Sequence, residues 1–137
     1  MKKYVIDASI VLKSLLSEDL TVAAKLEKIL NEIKAGGAEI LSHDLINIEV
    51  ANGLRFTLKD KGVAIETYQK FLRLPLKIIS LTKAQQEKTL DLSYDFHTTV
   101  YDTSYHILAK SHGAVFITCD REYFKKAKQL KDIELWR

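Results

Sequence analysis

The chain is poor in the residues that staple or loosen small proteins. Among 137 residues there are one cysteine, one proline, one tryptophan and five glycines. Cys119 alone cannot close an internal disulfide and offers no zinc-binding set, which points to a reducing, cytoplasmic setting. With Pro75 the sole proline, no flexible tether, repeat or low-complexity segment interrupts the chain. Apolar runs such as Ala114-Val115-Phe116-Ile117 fall far short of the ~18 residues of a spanning helix, so no membrane association is expected. Asp7 breaks the apolar start, and no export signal is expected there. What is present suits one compact domain over residues 1–137: 47% hydrophobic and 28% charged residues build a core and a solvated surface without staples. The net charge is +3, from 21 basic and 18 acidic side chains. Residues 121–137 hold six basic and three acidic residues, so residues 1–120 carry 15 of each and the excess lies wholly in the tail. Such a cluster meets phosphates or simply solvates a helix face, and the charge alone does not choose.

Four short apolar runs read as strands: Tyr4-Val5-Ile6, Glu39-Ile40-Leu41, Leu76-Lys77-Ile78-Ile79 and Ala114-Val115-Phe116-Ile117, with Ile133-Glu134-Leu135-Trp136 a weaker fifth. Most lack polar alternation, as strands covered on both faces do. Between them lie segments of helical period. Leu20 to Lys34 places Val22, Leu26, Ile29, Leu30 and Ile33 on one stripe and stops at Gly36-Gly37. Asp44 to Asp60 repeats the pattern, Val63 to Leu72 follows Gly62, and Thr82-x-x-Gln85 is a capping box opening a helix near Lys83. Thr99 to Ser111 ends at Gly113. Alternating strands and helices predict a three-layer α/β/α fold around a mainly parallel sheet of four to five strands.

In such a sheet ligands bind beyond the carboxyl ends of the strands. Asp7 follows the first strand and Asp120 the fourth; Asp102 lies one turn into the helix near Thr99, and Glu49 lies in the helix after the second strand. Each has an ordinary structural account: Asp7 and Asp120 as N-caps, Asp102 as the partner of a Thr99 cap, Glu49 as an exposed helical glutamate. Taken together they suggest more, because caps need not share a sheet edge whereas ligands must converge. Gly53, in a helix interior where it costs ~1 kcal/mol against alanine, suggests close approach by another element. Glu49 and Asn52, three apart, face the same way. Several carboxylates without a nucleophile repel one another unless a hard cation intervenes. Magnesium or manganese takes oxygen ligands, lowers the pKa of water and stabilises in-line displacement at phosphorus. Phosphodiester hydrolysis is the chemistry that fits.

At these residues the sequence resembles the PIN-domain ribonucleases, most closely the VapC-type toxins of toxin–antitoxin pairs. The matching pieces are Tyr4-Val5-Ile6-Asp7-Ala8-Ser9, Glu49-Val50-Ala51-Asn52, Tyr101-Asp102-Thr103-Ser104-Tyr105 with Leu108-Ala109, and Thr118-Cys119-Asp120-Arg121, in family order from Tyr4 to about Phe124. The resemblance implies a PIN-like fold, a magnesium or manganese site, and endoribonuclease activity on structured RNA leaving a 5′-phosphate and a 3′-hydroxyl. It also implies a homodimer and a small antitoxin protein that blocks the site, as in type II toxin–antitoxin systems. By position, Asp7, Glu49, Asp102 and Asp120 match the acidic quartet. Ser9 and Thr118 match polar positions beside it, able to hydrogen-bond phosphate or water, and Asn52 matches the asparagine after the glutamate. Thr103 stands where many relatives have alanine, and Cys119 occupies a variable position; neither disturbs an acidic residue.

Other features point elsewhere only weakly. His43, His97, His106 and His112 lack a metal-motif spacing and read as surface or packing residues. Cys119 has no activating base, Ser9 lacks a triad, and no glycine-rich phosphate loop follows the first strand. Aromatic Tyr105 and Phe124 read as wall packing. Lys13, Arg55, Lys59 and Arg121 read equally as RNA contacts or ordinary solvated charge. An aspartyl phosphotransferase of the haloacid-dehalogenase type would need a second aspartate where Ser9 stands. The alternative from another class is a catalytically idle PIN-like module that binds RNA or a protein.

Overall fold

A computed structural model describes residues 1–137. The chain runs β1 (Lys2–Ile6), α1 (Ala8–Leu15), α2 (Leu20–Lys34), β2 (Ala38–Ser42), α3 (Leu45–Thr57), α4 (Lys61–Leu72), β3 (Leu76–Ile78), α5 (Lys83–Phe96), α6 (Val100–Ser111), β4 (Val115–Thr118), α7 (Arg121–Ala127) and β5 (Ile133–Leu135), with a 3₁₀ turn at Lys128–Leu130. All four strand pairings are parallel. The order across the sheet is β3-β2-β1-β4-β5. The expected three-layer α/β/α architecture is therefore present with five strands. Val5 and Ile6 point to opposite faces of central β1 and are both fully buried, so helices cover both sides. Helix α6 packs over β1, β4 and β2 with α5 against it, while α1 and α2 cover the other side with α3 against α1.

Local chemistry explains most boundaries. Asp19 accepts the Thr21 and Val22 backbone N–H groups and starts α2; Gly36, at φ +80°, ends it in the left-handed region that glycine tolerates. The Thr82–Gln85 capping box forms in both directions at the head of α5. Two expected limits shift. Helix α3 covers Leu45–Thr57 rather than reaching Asp60, because Asp60 instead caps the next helix by accepting the Val63 N–H at 2.9 Å. That same cap draws Lys61 and Gly62 into α4, so Gly62 lies inside the helix rather than before it. Gly53 does mark a close approach: a Cβ there would overlap the Leu12 side chain, so the glycine lets α1 settle onto α3.

The order of strands fixes where a site can form. From β1 the chain builds outward through β2 to β3, then returns past β1 to add β4 and β5 on the other side. Connections leave β1 and β4 toward opposite directions, opening a crevice between their carboxyl ends. The register pairs Ile6 with Ile117, so the residues that follow, Asp7 and Thr118, stand side by side at that crevice.

Candidate active site

Two of the four acidic residues are where they are because they begin helices. Asp7 turns the chain from β1 into α1: its Oδ1 accepts the Ile10 N–H at 3.2 Å and the Ser9 hydroxyl at 2.6 Å. Asp120 turns the chain from β4 into α7, its Oδ1 accepting the Tyr123 N–H at 3.0 Å. The Thr118 hydroxyl receives the Asp120 N–H at 3.0 Å and shapes that turn. Asp102 sits in the first turn of α6, where its N–H binds the Thr99 hydroxyl at 3.1 Å. Glu49, half-buried on α3, accepts the Tyr105 hydroxyl at 3.0 Å through Oε1. The capping accounts and the site account are therefore not rivals: the caps are what aim Asp7 and Asp120 across the crevice.

The electrostatics link Asp7, Glu49 and Asp102 to one another, and exposed Asp120 acts on Asp102. Asp7 is only 8% exposed. Burial raises its pKa to about 6, against the relief given by Ser9 and Ile10, and the charges of Asp102 and Glu49 push it further. Burial likewise raises Glu49, with Asp102 adding to it. Asp102 is raised by burial and by the charge of Asp120. No lysine or arginine forms an ion pair with any of the four; the ion pairs all lie elsewhere. Asp7, Glu49 and Asp120 share a pattern: one carboxylate oxygen is held by a protein donor, and no protein donor reaches the other. Oxygens without a protein donor on oriented carboxylates are the ligands a hard divalent cation takes, and the mutual repulsion is what it would relieve. No three acidic or imidazole side chains stand close enough to form a finished ligand cage.

The remaining positions divide. Ser9 is half-buried and bonded to Asp7, Thr118 is 1% exposed and bonded to the Asp120 backbone, and Asn52 is exposed on α3. Ser9 and Thr118 thus position the aspartates, whereas Asn52 is the one of the three open to solvent. Sequence reasoning missed the support beneath Glu49. His43, at the carboxyl end of β2, is buried and stacks on Tyr105 with ring centroids 4.1 Å apart. Its Nδ1 accepts the Leu45 N–H at 3.1 Å, so Nε2 donates to the Ser104 hydroxyl at 2.7 Å. Tyr105 serves as more than a wall: its ring is clasped between His43 and Phe116 while its hydroxyl holds Glu49. Its position three residues after Asp102 was the available signal. Cys119 is half-buried, and burial raises its thiol pKa, in keeping with an unreactive side chain.

A separate concavity lies elsewhere. It measures about 840 Å³ between α3 and α4, lined by Leu54, Leu58, Ile65 and Leu72 together with Arg55 and Lys59. An apolar lining does not suit phosphate chemistry, so the crevice with the carboxylates is the candidate site. No helix is long and apolar enough to cross a membrane.

A family model for the PIN domain matches residues 4–130. No curated protein matches the sequence. Among solved structures, VapBC2 from Rickettsia felis, bound to a DNA fragment from its promoter, is similar with a TM-score of 0.72 at 16% identity, covering 98% of this chain and 99% of that one. A toxin–antitoxin complex from Klebsiella pneumoniae has a TM-score of 0.66 at 16% identity over 96% of this chain and 95% of that chain. PAE2754 from Pyrobaculum aerophilum has a TM-score of 0.66 at 26% identity, covering 91% of this chain and 86% of that one. At 16% identity the likeness establishes a shared fold.

Proposed function

The chain belongs to the PIN-domain family, and from that premise we propose that it is a divalent-metal-dependent endoribonuclease, the toxin of a type II toxin–antitoxin pair. What supports the proposal is that Asp7, Glu49 and Asp102 act on one another by charge, and Asp120 on Asp102, beyond the carboxyl ends of β1 and β4, with no cationic partner. Asp7, Asp102 and Asp120 would hold Mg²⁺ or Mn²⁺, and Glu49 would join them or orient the attacking water. When bound, the ion supplies charge neutralisation, a lowered pKa for water and stabilisation of the charge that builds on the phosphate. The protein's own part is positional. Ser9 and the α1 backbone fix Asp7, Thr118 and the α7 backbone fix Asp120, and Tyr105 fixes Glu49, so little reorganisation is needed as the phosphorus centre inverts. Asn52, exposed one turn from Glu49, contacts the substrate beside the site. The toxin role, with a small antitoxin as partner, draws support from the toxin–antitoxin complexes that share the fold, and a homodimer is proposed as its working form.

The test is incubation of the purified protein with structured RNA and Mn²⁺, followed by sequencing of the RNA ends. New 5′-phosphate and 3′-hydroxyl ends should appear, vanish in EDTA, and fall by on the order of 10³-fold in Asp7→Asn. Undiminished cleavage in EDTA, or by a folded Asp7→Asn protein, would overturn the assignment. A small neighbouring reading frame encoding a DNA-binding domain with a helical tail is the expected genomic counterpart of the toxin role.

A further inference from the structure

The acidic crevice has a basic neighbour on the same edge of the sheet. Because β5 runs parallel to β4 with Thr118 opposite Leu135, the chain beyond β5 emerges beside the chain beyond β4. The Trp136 N–H donates to the Thr118 carbonyl at 2.8 Å and carries that pairing past the strand ends. Two residues on from each strand stand Asp120 and Arg137. Neighbouring strands lie ~4.8 Å apart, so β5 is roughly 10 Å from β1 along this edge. Between α7 and β5 a groove of about 300 Å³ is lined by Arg121, Phe124, Lys125, Lys128, Leu135 and Arg137. Four of those six residues are cationic and none is acidic. Arg121, Lys128 and Arg137 have no ion-pair partner, and Lys125 has only exposed Glu122 at 3.7 Å. The other acids of the tail are engaged outside the groove: Asp132 with Lys110 at 2.8 Å, and Glu134 with the Trp136 indole N–H at 3.2 Å. The tail's whole excess of positive charge is thus gathered into one concave strip that begins at the residue after Asp120.

We propose that this strip binds the sugar–phosphate backbone of single-stranded RNA on one side of the bond being cut, as an extended substrate subsite. The proposal rests on the nuclease reading and deepens it. A strand whose phosphate lies at the crevice needs only a step of about two strand spacings to reach Arg137, and unpaired guanidinium and ammonium groups are the natural partners of its next phosphates. Half-buried Phe124 supplies an apolar floor against which a base can lie. An acidic peptide is the competing occupant; the continuity of the strip with the phosphate-handling edge favours nucleic acid.

The experiment compares the unsubstituted protein with the variant Arg121→Ala/Lys128→Ala/Arg137→Ala, whose three side chains are all exposed and spare the core. In Mn²⁺-dependent cleavage of a short single-stranded RNA, kcat should stay within about twofold while KM rises about tenfold, and the slope of log KM against log salt should fall by about 2, at ~0.7 per lost phosphate contact. Replacement by lysine at 121 and 137 should restore most of the KM. In parallel, anisotropy of a labelled RNA with Asp7→Asn protein, with and without the three substitutions and with polyglutamate as competitor, reads binding without cleavage. Unchanged KM and salt slope in an active triple variant overturn the subsite and leave the nuclease standing. RNA binding lost on removing the cations, in a protein that never cleaves, supports the subsite and sinks the nuclease. Equal binding of polyglutamate and RNA overturns the RNA assignment, and no RNA binding at all overturns both.

Discussion

Two polar clusters flank β4, one buried and one running from buried Asp7 out to exposed Asp120, and they are built to opposite plans. On α6, His106 is fully buried, its Nδ1 accepting the Tyr123 hydroxyl at 2.8 Å and its Nε2 donating to the Lys131 carbonyl at 2.7 Å. Both ring nitrogens and the Tyr123 hydroxyl have a partner, and burial holds the imidazole pKa down, so the ring stays neutral. One turn toward the start of the same helix, Asp102 faces Asp7, Glu49 and Asp120 across the crevice, and the group is left with like charges and open oxygens. Burial of polar groups does not by itself mark a site, since the closed cluster has all its work done inside the fold. Uncompensated charge marks it, because the fold bears a cost at neutral pH that a proton or a bound cation relieves.

The comparison breaks most visibly at His106. His106→Leu should destabilise the protein by about 2–4 kcal/mol in urea denaturation, because it strands the Tyr123 hydroxyl and the Lys131 carbonyl in the interior. It should leave the response to Mn²⁺ unchanged; a loss of metal binding in the still-folded variant would show that the two clusters are coupled. The depressed folded-state pKa also has a sign: the stability His106 contributes is present above its unfolded value of ~6.5 and is lost as pH falls below it, a dependence the variant should lack.

Asp7 should behave in the opposite sense. Its folded-state value of about 6 lies above that of the unfolded chain, so its contribution is intact below about pH 4 and is lost as pH rises through 6. Asp7→Asn should therefore stabilise the metal-free protein by about 1–3 kcal/mol at pH 7–8, with the gain vanishing near pH 4. Mn²⁺ should raise the melting temperature of the natural protein and not of the variant. Equal melting temperatures at pH 8, metal-free, would mean that Asp7 is not held at a cost.

Tyr105→Phe sharpens the comparison by the smallest change. The ring keeps its place between His43 and Phe116, and only the bond to Glu49 goes. Stability should move by no more than about 1 kcal/mol, while Mn²⁺ affinity measured by calorimetry falls about tenfold. Combined with Glu49→Gln, the tyrosine change should add nothing further; additive losses would place Tyr105 outside the Glu49 pathway.

Much of this was legible in one dimension. The apolar stripe of α2, the Thr82 capping box and the Gly36 stop are local rules obeyed locally, and α2 begins and ends where its sequence says. The acids at strand ends were visible because a parallel sheet sends every carboxyl end to one edge. Less legible were the features that depend on a distant partner. His43 and Tyr105 are 62 positions apart in sequence, and nothing local distinguishes a buried, stacked histidine from a surface one. The start of α4 was misplaced for a related reason: Asp60 can close one helix or open another, and only the path of the chain around it decides.

The sparseness of cysteine, proline and glycine, the alternation of strands and helices, and the identity of the four acids were determined by the sequence itself, because propensity, capping and periodicity act over a few residues. Which strand lies beside which was not. The order β3-β2-β1-β4-β5 sets Asp7 next to Thr118 and brings Arg137 level with Asp120, and that order is decided by long-range packing of both sheet faces. The sequence supplied the charges; the tertiary structure set the strand ends that carry them side by side without a counter-ion, because β1 and β4 are distant in the chain and only packing of the sheet makes them neighbours.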